Sequence, residues 1–285
     1  MSLSILTNIS AMNTQQNLLK SSNAVSQSMA RLSSGLRINT AADDAAGYAI
    51  SQGLTSQVNG LNQASSNTND AISMVQTASS SLNDVQNMLQ RVYELGVQYN
   101  NGSNSSTDKS DIQAEVNQLT QEIDRQQSSS NFNGLNLLNG SAGSSGTVTF
   151  QVGANSGDTL TATFSNIEGN SGLGGLGFNW TNASTGGTVI DLSSANALTS
   201  LTSAINNISS MAATLGAVQN RLQYTSDSIA STQQNLSSTN SQITDVNMAS
   251  EMTNLTQEQI LEQAGTAMLA QAQQQPQTIL KLLNG

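Results

Sequence analysis

From Leu201 the chain places an aliphatic residue at every seventh position, at Ile208, Leu215, Leu222, Ile229, Leu236 and Ile243. Seven residues fall only about 20° short of two full helical turns, so this spacing keeps one narrow seam aimed at a partner helix. It predicts a coiled-coil helix roughly 65 Å long. Interleaved positions begin apolar (Leu198, Ile205, Ala212) and then turn polar (Gln219, Ser226, Gln233, Asn240), so the seam narrows toward its C-terminal end. Pro276 is the only proline, and 13 of the 22 glycines fall between Gly134 and Gly187. Two long flanks nearly free of helix breakers therefore enclose a glycine-rich centre.

The first flank repeats the pattern. Leu61, Val75, Leu82 and Leu89 share a seam with Val58, Ile72 and Tyr93, and Ile112, Val116, Leu119 and Ile123 mark a shorter helix. Between them YNNGSNSSTD, Tyr99 to Asp108, reads as a turn whose Ser, Thr and Asp residues suit the next helix's N-terminus. Ile5, Ile9, Met12 and Leu19 form one stripe near the N-terminus, and Leu18, Val25, Met29, Leu32 and Leu36 form another. The C-terminal segment offers Val246, Met252, Leu255, Leu261, Met268, Ile279 and Leu283. Residues 1–42 carry Lys20, Arg31 and Arg37 without an acid, and residues 245–285 carry four acids against Lys281. Opposite charge and apolar stripes predict that the two ends pair. Rich in Asn and Ser and thin in apolar surface, these ends are expected to order only when buried against a further partner.

In the centre, GTVTFQVGA and DTLTATF flank an Asn155–Gly157 turn and read as a β-hairpin. Residues 169–187 have no period and read as loop. The fold class is thus mainly α, a long antiparallel coiled-coil bundle with a small central β-hairpin and both termini paired at one end.

Composition removes most chemistry. The chain has no Cys and no His among 285 residues, which excludes disulfides, Ser-His or Cys-His catalysis and Cys/His zinc sites. No paired-carboxylate or phosphate-cradling motif is present, so neither an enzyme nor a cofactor is expected. A net charge of −10 with eight scattered basic residues argues against nucleic acid, and no apolar run is long enough to enter a bilayer. MSLSILTNIS lacks the basic start and apolar stretch of a cleaved secretory signal.

The block LSSGLRINTAADDAAGYAIS, Leu32 to Ser51, resembles the N-terminal hallmark of bacterial flagellin. The resemblance continues through the run to FNGLNLLNG, Phe132 to Gly140, and returns at LGAVQNRL, Leu215 to Leu222, and in the segment from SQITDVNMASEM to the C-terminus. It covers about 140 residues at the front and about 90 at the back. It implies an extracellular subunit of the flagellar filament that polymerises with itself. It implies residues 1–42 and 245–285 as the inner coiled-coil domain, 43–165 and 196–244 as the rod domain, and 166–195 as a short variable loop.

Implied partners are the flagellar type III export apparatus with its chaperone, and the hook–filament junction and cap proteins. Arg91, Leu95 and Glu115 match the rod-domain contact read by the vertebrate Toll-like receptor for flagellin, with Tyr93 where recognised members carry a second Arg. A hook–filament junction protein and a soluble coiled-coil scaffold are the alternative functions; the paired terminal motifs favour flagellin.

Overall fold

The computed structural model describes residues 8–144, 146–167, 190–194 and 196–283, with side chains up to residue 274. The loop reading for 169–187, most of the variable segment, Ile5, and the side chains of Ile279 and Leu283 lie outside the described residues. Among the described residues five helices dominate: α1 (Ile9–Ser34), α2 (Ala45–Tyr99), α3 (Ser106–Ser129), α4 (Ala197–Thr244) and α5 (Met248–Leu283). Four short strands, β1 (Asn131–Phe132), β2 (Leu135–Asn136), β3 (Thr147–Gln151) and β4 (Thr159–Thr163), form two antiparallel hairpins. The chain divides into two compact units, one of residues 1–56 and 235–285, the other of residues 57–234.

In the second unit the seam is a dry core. Leu201, Ile208, Leu215, Leu222 and Ile229 of α4 are all buried, as are Leu61, Val75, Leu82 and Leu89 of α2. Ile112, Val116 and Ile123 bring α3 into the same cluster, and Phe164 is its one fully buried aromatic among the described residues. Gln86 Nε2 donates to Ser209 Oγ at 3.2 Å and Gln233 Nε2 donates to Asn62 Oδ1 at 2.6 Å. The α2 partner falls by 24 positions between these bonds while the α4 partner rises by 24, which fixes an antiparallel register. Gly96 has its reason here. A Cβ would stand 2.9 Å from Leu198 Cδ2 and 3.3 Å from Leu192 Cδ2, so its absence lets the start of α4 close on α2. Nothing in the structure explains Gly53, whose Cβ direction is open.

The turn before α3 closes with a capping box. Ser105 accepts from the Asp108 N–H at 3.2 Å, and the Asp108 carboxylate accepts from the Ser105 N–H at 2.9 Å. The β3–β4 hairpin pairs Thr147 with Thr163 through Gln151 with Thr159 and turns its Leu160, Ala162 and Phe164 side chains into the core. A second hairpin, β1–β2, escapes the sequence reading. Its turn is Asn133–Gly134, with φ of 50° and 80°, the pair of positive values a type I′ turn needs. Asn-Gly between NF and LN was the available signal.

In the first unit α1 ends at Gly35, left-handed at φ 74°, whose N–H reaches the Arg31 carbonyl. The chain then forms a single bridge between Leu36 and Asp245, with Arg37 N–H donating to Thr244 O and Val246 N–H to Gly35 O. Asp43 receives the Asn39 and Thr40 N–H groups, and Asp44 receives those of Ala46 and Gly47 at the start of α2. The AADDAAG string is therefore turn and cap chemistry. A Cβ on Gly47 would fall 2.4 Å from Asp44 Oδ2 and 2.7 Å from Ile38 Cδ1, so this cap admits only glycine without a shift.

Helices α1 and α5 pack antiparallel in this unit, with Leu18 against Gly265 and Arg31 3.9 Å from Glu251. Pro276 sits inside α5 and cannot donate to the carbonyl four residues back, that of Ala272. Asn8 Nδ2 fills the vacancy at 2.8 Å while its Oδ1 caps α1 by accepting from the Ala11 N–H. One side chain thus satisfies an orphan group on each helix.

Two consequences are measurable. Gly146, at φ 81°, has the Phe164 carbonyl 2.6 Å from where a Cβ would be, so Gly146→Ala should cost about 1–3 kcal/mol in denaturant unfolding. Gly157→Ala, in open space, should stay within ~0.5 kcal/mol. The Asp108 carboxyl is held below its ordinary value by the Ser105 N–H and then by the Ser105 hydroxyl. A lowered folded value means its contribution is full near neutrality and is lost as pH falls through it. Asp108→Ala should therefore lower Tm at neutral pH, with the gap from the parent closing on acidification; a gap independent of pH would refute the ionic half of the box.

Candidate functional site

Two surfaces qualify, one in each unit. On the first, the face of α1 that meets α5 carries Leu18, Val25 and Leu32, all half-buried. The other stripe does not join the pairing: Ile9, Met12 and Leu19 are exposed, as is Met29. The expectation that both stripes hold the ends together is corrected accordingly. Helical geometry gives the reason, since residues one position out of phase lie about 100° apart and a single partner covers one of them. On α5, Leu255 is buried and Glu251 is buried beside Arg31, while Met248, Met252, Ile260, Leu261 and Met268 are exposed. In α1 the only buried residue is Ser28. A groove between the helices is lined by Thr14, Leu18, Ser21, Glu258, Leu261, Gly265 and Met268, with Lys20 at its side.

The seam residues at the C-terminal end of α4 change character in the same unit. Leu236 and Ile243 are half-buried, and Asn240 Nδ2 reaches Thr55 Oγ1 at 3.4 Å. The last two seam positions are therefore only partly enclosed.

The second surface lies on α2 and α3. Arg91 donates through Nε and Nη2 to Glu115 Oε1 at 3.0 and 2.9 Å, and through Nη1 to Glu94 Oε2 at 3.2 Å. These bonds, Glu115 first, raise the Arg91 guanidinium above its usual range. All three side chains are about half exposed or more. Leu95 is not part of this surface. It is 2% exposed and belongs to the core, so it offers no apolar anchor to a partner. The signal was present in the sequence, because Met74, Ser81, Met88 and Leu95 run at sevens beside the Val75, Leu82 and Leu89 seam. Tyr93, at 36%, sits at the edge of exposure. Glu94, the third member of the cluster, went unread.

Neither surface resembles a reaction site. Among the described residues no group of three or more acidic side chains could hold a metal ion, and no helix is long and apolar enough to cross a membrane.

Comparison with known proteins supplies the family. The family model described as the bacterial flagellin N-terminal helical region matches residues 5–143, and that of the bacterial flagellin C-terminal helical region matches residues 198–283. A flagellin of Halalkalibacterium halodurans is 39% identical over 276 residues, covering 97% of this chain and 98% of that one. The flagellar filament 33 kDa core protein of Treponema phagedenis is 44% identical over 284 residues, with the same coverage of both chains. A flagellin of Bacillus subtilis is 40% identical over 306 residues, again covering 97% and 98%. Two matching regions in register, enclosing the glycine-rich centre, and relatives matched over nearly their whole length place the chain in the bacterial flagellin family.

Proposed function

We propose that this chain, a structural subunit of the bacterial flagellar filament and not an enzyme, joins its neighbours through the apolar side chains that α1 and α5 leave uncovered. The supporting observation is an imbalance. The α1–α5 pair buries Ser28, Glu251 and Leu255 and leaves nine large hydrophobics exposed, from Ile9 to Met268. Two thin helices with no dry seam gain little from each other. Further copies of the chain supply the missing cover, and a head-to-tail contact that does not close propagates into a helical polymer. On this reading residues 1–42 and 245–285 form the inner domain and gain most of their order on assembly, residues 43–165 and 196–244 form the rod, and 166–195 a short outer loop. Export as an unfolded chain by the flagellar type III apparatus with its chaperone, without a cleaved signal, and contacts with junction and cap proteins complete the proposal.

Each exposed aliphatic taken fully out of water contributes ~1.5–3 kcal/mol. Leu19→Asp or Ile260→Asp should therefore raise the critical concentration for polymerisation by roughly one to two orders of magnitude. Sedimentation with negative-stain microscopy reads this, and hydrogen exchange should show protection of α1 and α5 rising on assembly. Variants that polymerise like the parent would sink the assignment.

The Arg91, Glu94 and Glu115 cluster supports a narrower reading, as the contact for the vertebrate Toll-like receptor. Its planar donor fork is exposed, though already held by two carboxylates. Arg91→Ala should lower receptor activation by the monomer on the order of tenfold while leaving the thermal melt unchanged. An unaltered response would remove the receptor from the list of partners.

A further inference from the structure

Methionine is divided between the two units in an unequal way. Of the nine in the sequence, Met12, Met29, Met248, Met252 and Met268 lie in the first unit, and all five are 50–63% exposed. Met74, Met88 and Met211 lie in the second unit, Met74 at 3% exposure and the other two packed against its core. Met1 lies outside the described residues. The exposed five stand on α1 and α5, among the same uncovered aliphatics that the proposed contact would enclose.

A thioether is soft, unbranched and polarizable, so methionine serves a surface that must repack against a neighbour. The same sulfur is a nucleophile toward peroxides. In that step a sulfur lone pair attacks one peroxide oxygen, an S–O bond forms as the O–O bond breaks, and the departing hydroxide takes up a proton. Sulfide and hydrogen peroxide give sulfoxide and water, with sulfur oxidised by two electrons and peroxide reduced by two. The product is polar and chiral in place of an apolar chain, and enclosing it without hydrogen-bond partners is unfavourable.

We infer that Met12, Met29, Met248, Met252 and Met268 are peroxide-modification sites of the unassembled subunit, and that their oxidation to sulfoxide blocks polymerisation while the assembled filament is protected. The blocking rests on the assembly surface proposed above; the selective oxidation rests on exposure alone. Met268 lines the groove with Leu18 and Leu261 as well as with the polar Thr14, Lys20 and Ser21, so a sulfoxide there sets a bulkier polar group beside two apolar side chains of the pair.

The test treats free chain and preformed filament with graded hydrogen peroxide. Peptide mass spectrometry maps the sulfoxides, and sedimentation reads polymerisation. In the free chain the five should oxidise at least roughly tenfold faster than Met74, and in the filament they should slow toward its rate. Oxidised chain should need a critical concentration raised roughly tenfold or more. Treatment with the two methionine sulfoxide reductases should restore it. A variant with all five changed to Leu, a near volume-conserving swap, should polymerise and ignore peroxide. Equal oxidation of all eight mapped methionines would overturn the site assignment. Oxidised chain that assembles like the untreated one, or a Leu variant that loses assembly to the same dose, would overturn the block. Failure of the untreated chain to polymerise would instead refute the assembly reading, and the oxidation map would still decide the sites.

Discussion

Everything in the second unit depends on aliphatic side chains meeting at a fixed interval along two antiparallel helices. The chain has four Phe, four Tyr and one Trp, so it cannot build a core around large rings. Instead Leu, Ile, Val, Met and Ala repeat at sevens, and the longest helices become the means of collecting enough of them. Leu82, Leu89, Leu201 and Ile208 are each at most 1% exposed. Such a seam has no natural end, because every heptad is nearly interchangeable with the next. The hydrogen bonds from Gln86 to Ser209 and from Gln233 to Asn62 supply what the aliphatics lack, a register. A slip by one heptad would pull both pairs apart, since Gln86 would then lie opposite Thr202 or Gly216 in place of Ser209.

The first unit obeys the same arithmetic with too few terms. Its two helices meet along Leu18, Val25 and Leu32 on one side and Leu255 on the other, and small residues such as Gly265 let them approach closely. Close approach of two thin helices brings the backbones together without enclosing much apolar surface. What holds the ends in place is instead polar and specific: Asn8 serving both the start of α1 and the carbonyl orphaned by Pro276, Arg31 beside a buried Glu251, and the bridge from Gly35 and Arg37 to Thr244 and Val246. Contacts of this kind orient a pair of helices better than they stabilise it.

How much of this was legible in the sequence follows from the range of each interaction. Periodicity reports which way a side chain faces relative to its own helix, so the α4 seam, the α2 seam and the 4-3-4 pattern of α3 were readable directly. Periodicity says nothing about how many partners a helix has. That is why the Ile9, Met12 and Leu19 stripe read as part of the terminal pair when α5 covers only its neighbour. Leu95 shows a different failure. Its place was read from a resemblance that names residues without weighing the fold's own demand for them, and the seven-residue series from Met74 already assigned it inward. Gly96 and Pro276 lie beyond the reach of periodicity because their reasons are far along the chain, at Leu198 and at Asn8.

The contrast between the two units carries a functional argument that neither carries alone. A subunit that polymerises needs one part that holds together within a single chain and another that does not close on itself prematurely. A dry heptad seam satisfies the first need, and its burial is complete within one chain. Helices with polar clasps and uncovered methionine and aliphatic side chains satisfy the second, because the clasps set their orientation while leaving the apolar free energy to be released only by a neighbour. Making the terminal helices more hydrophobic on their inner face would strengthen the monomer and weaken the reason to assemble. The sparse burial of α1, in which Ser28 alone is enclosed, is what the proposed contact through its uncovered side chains would require.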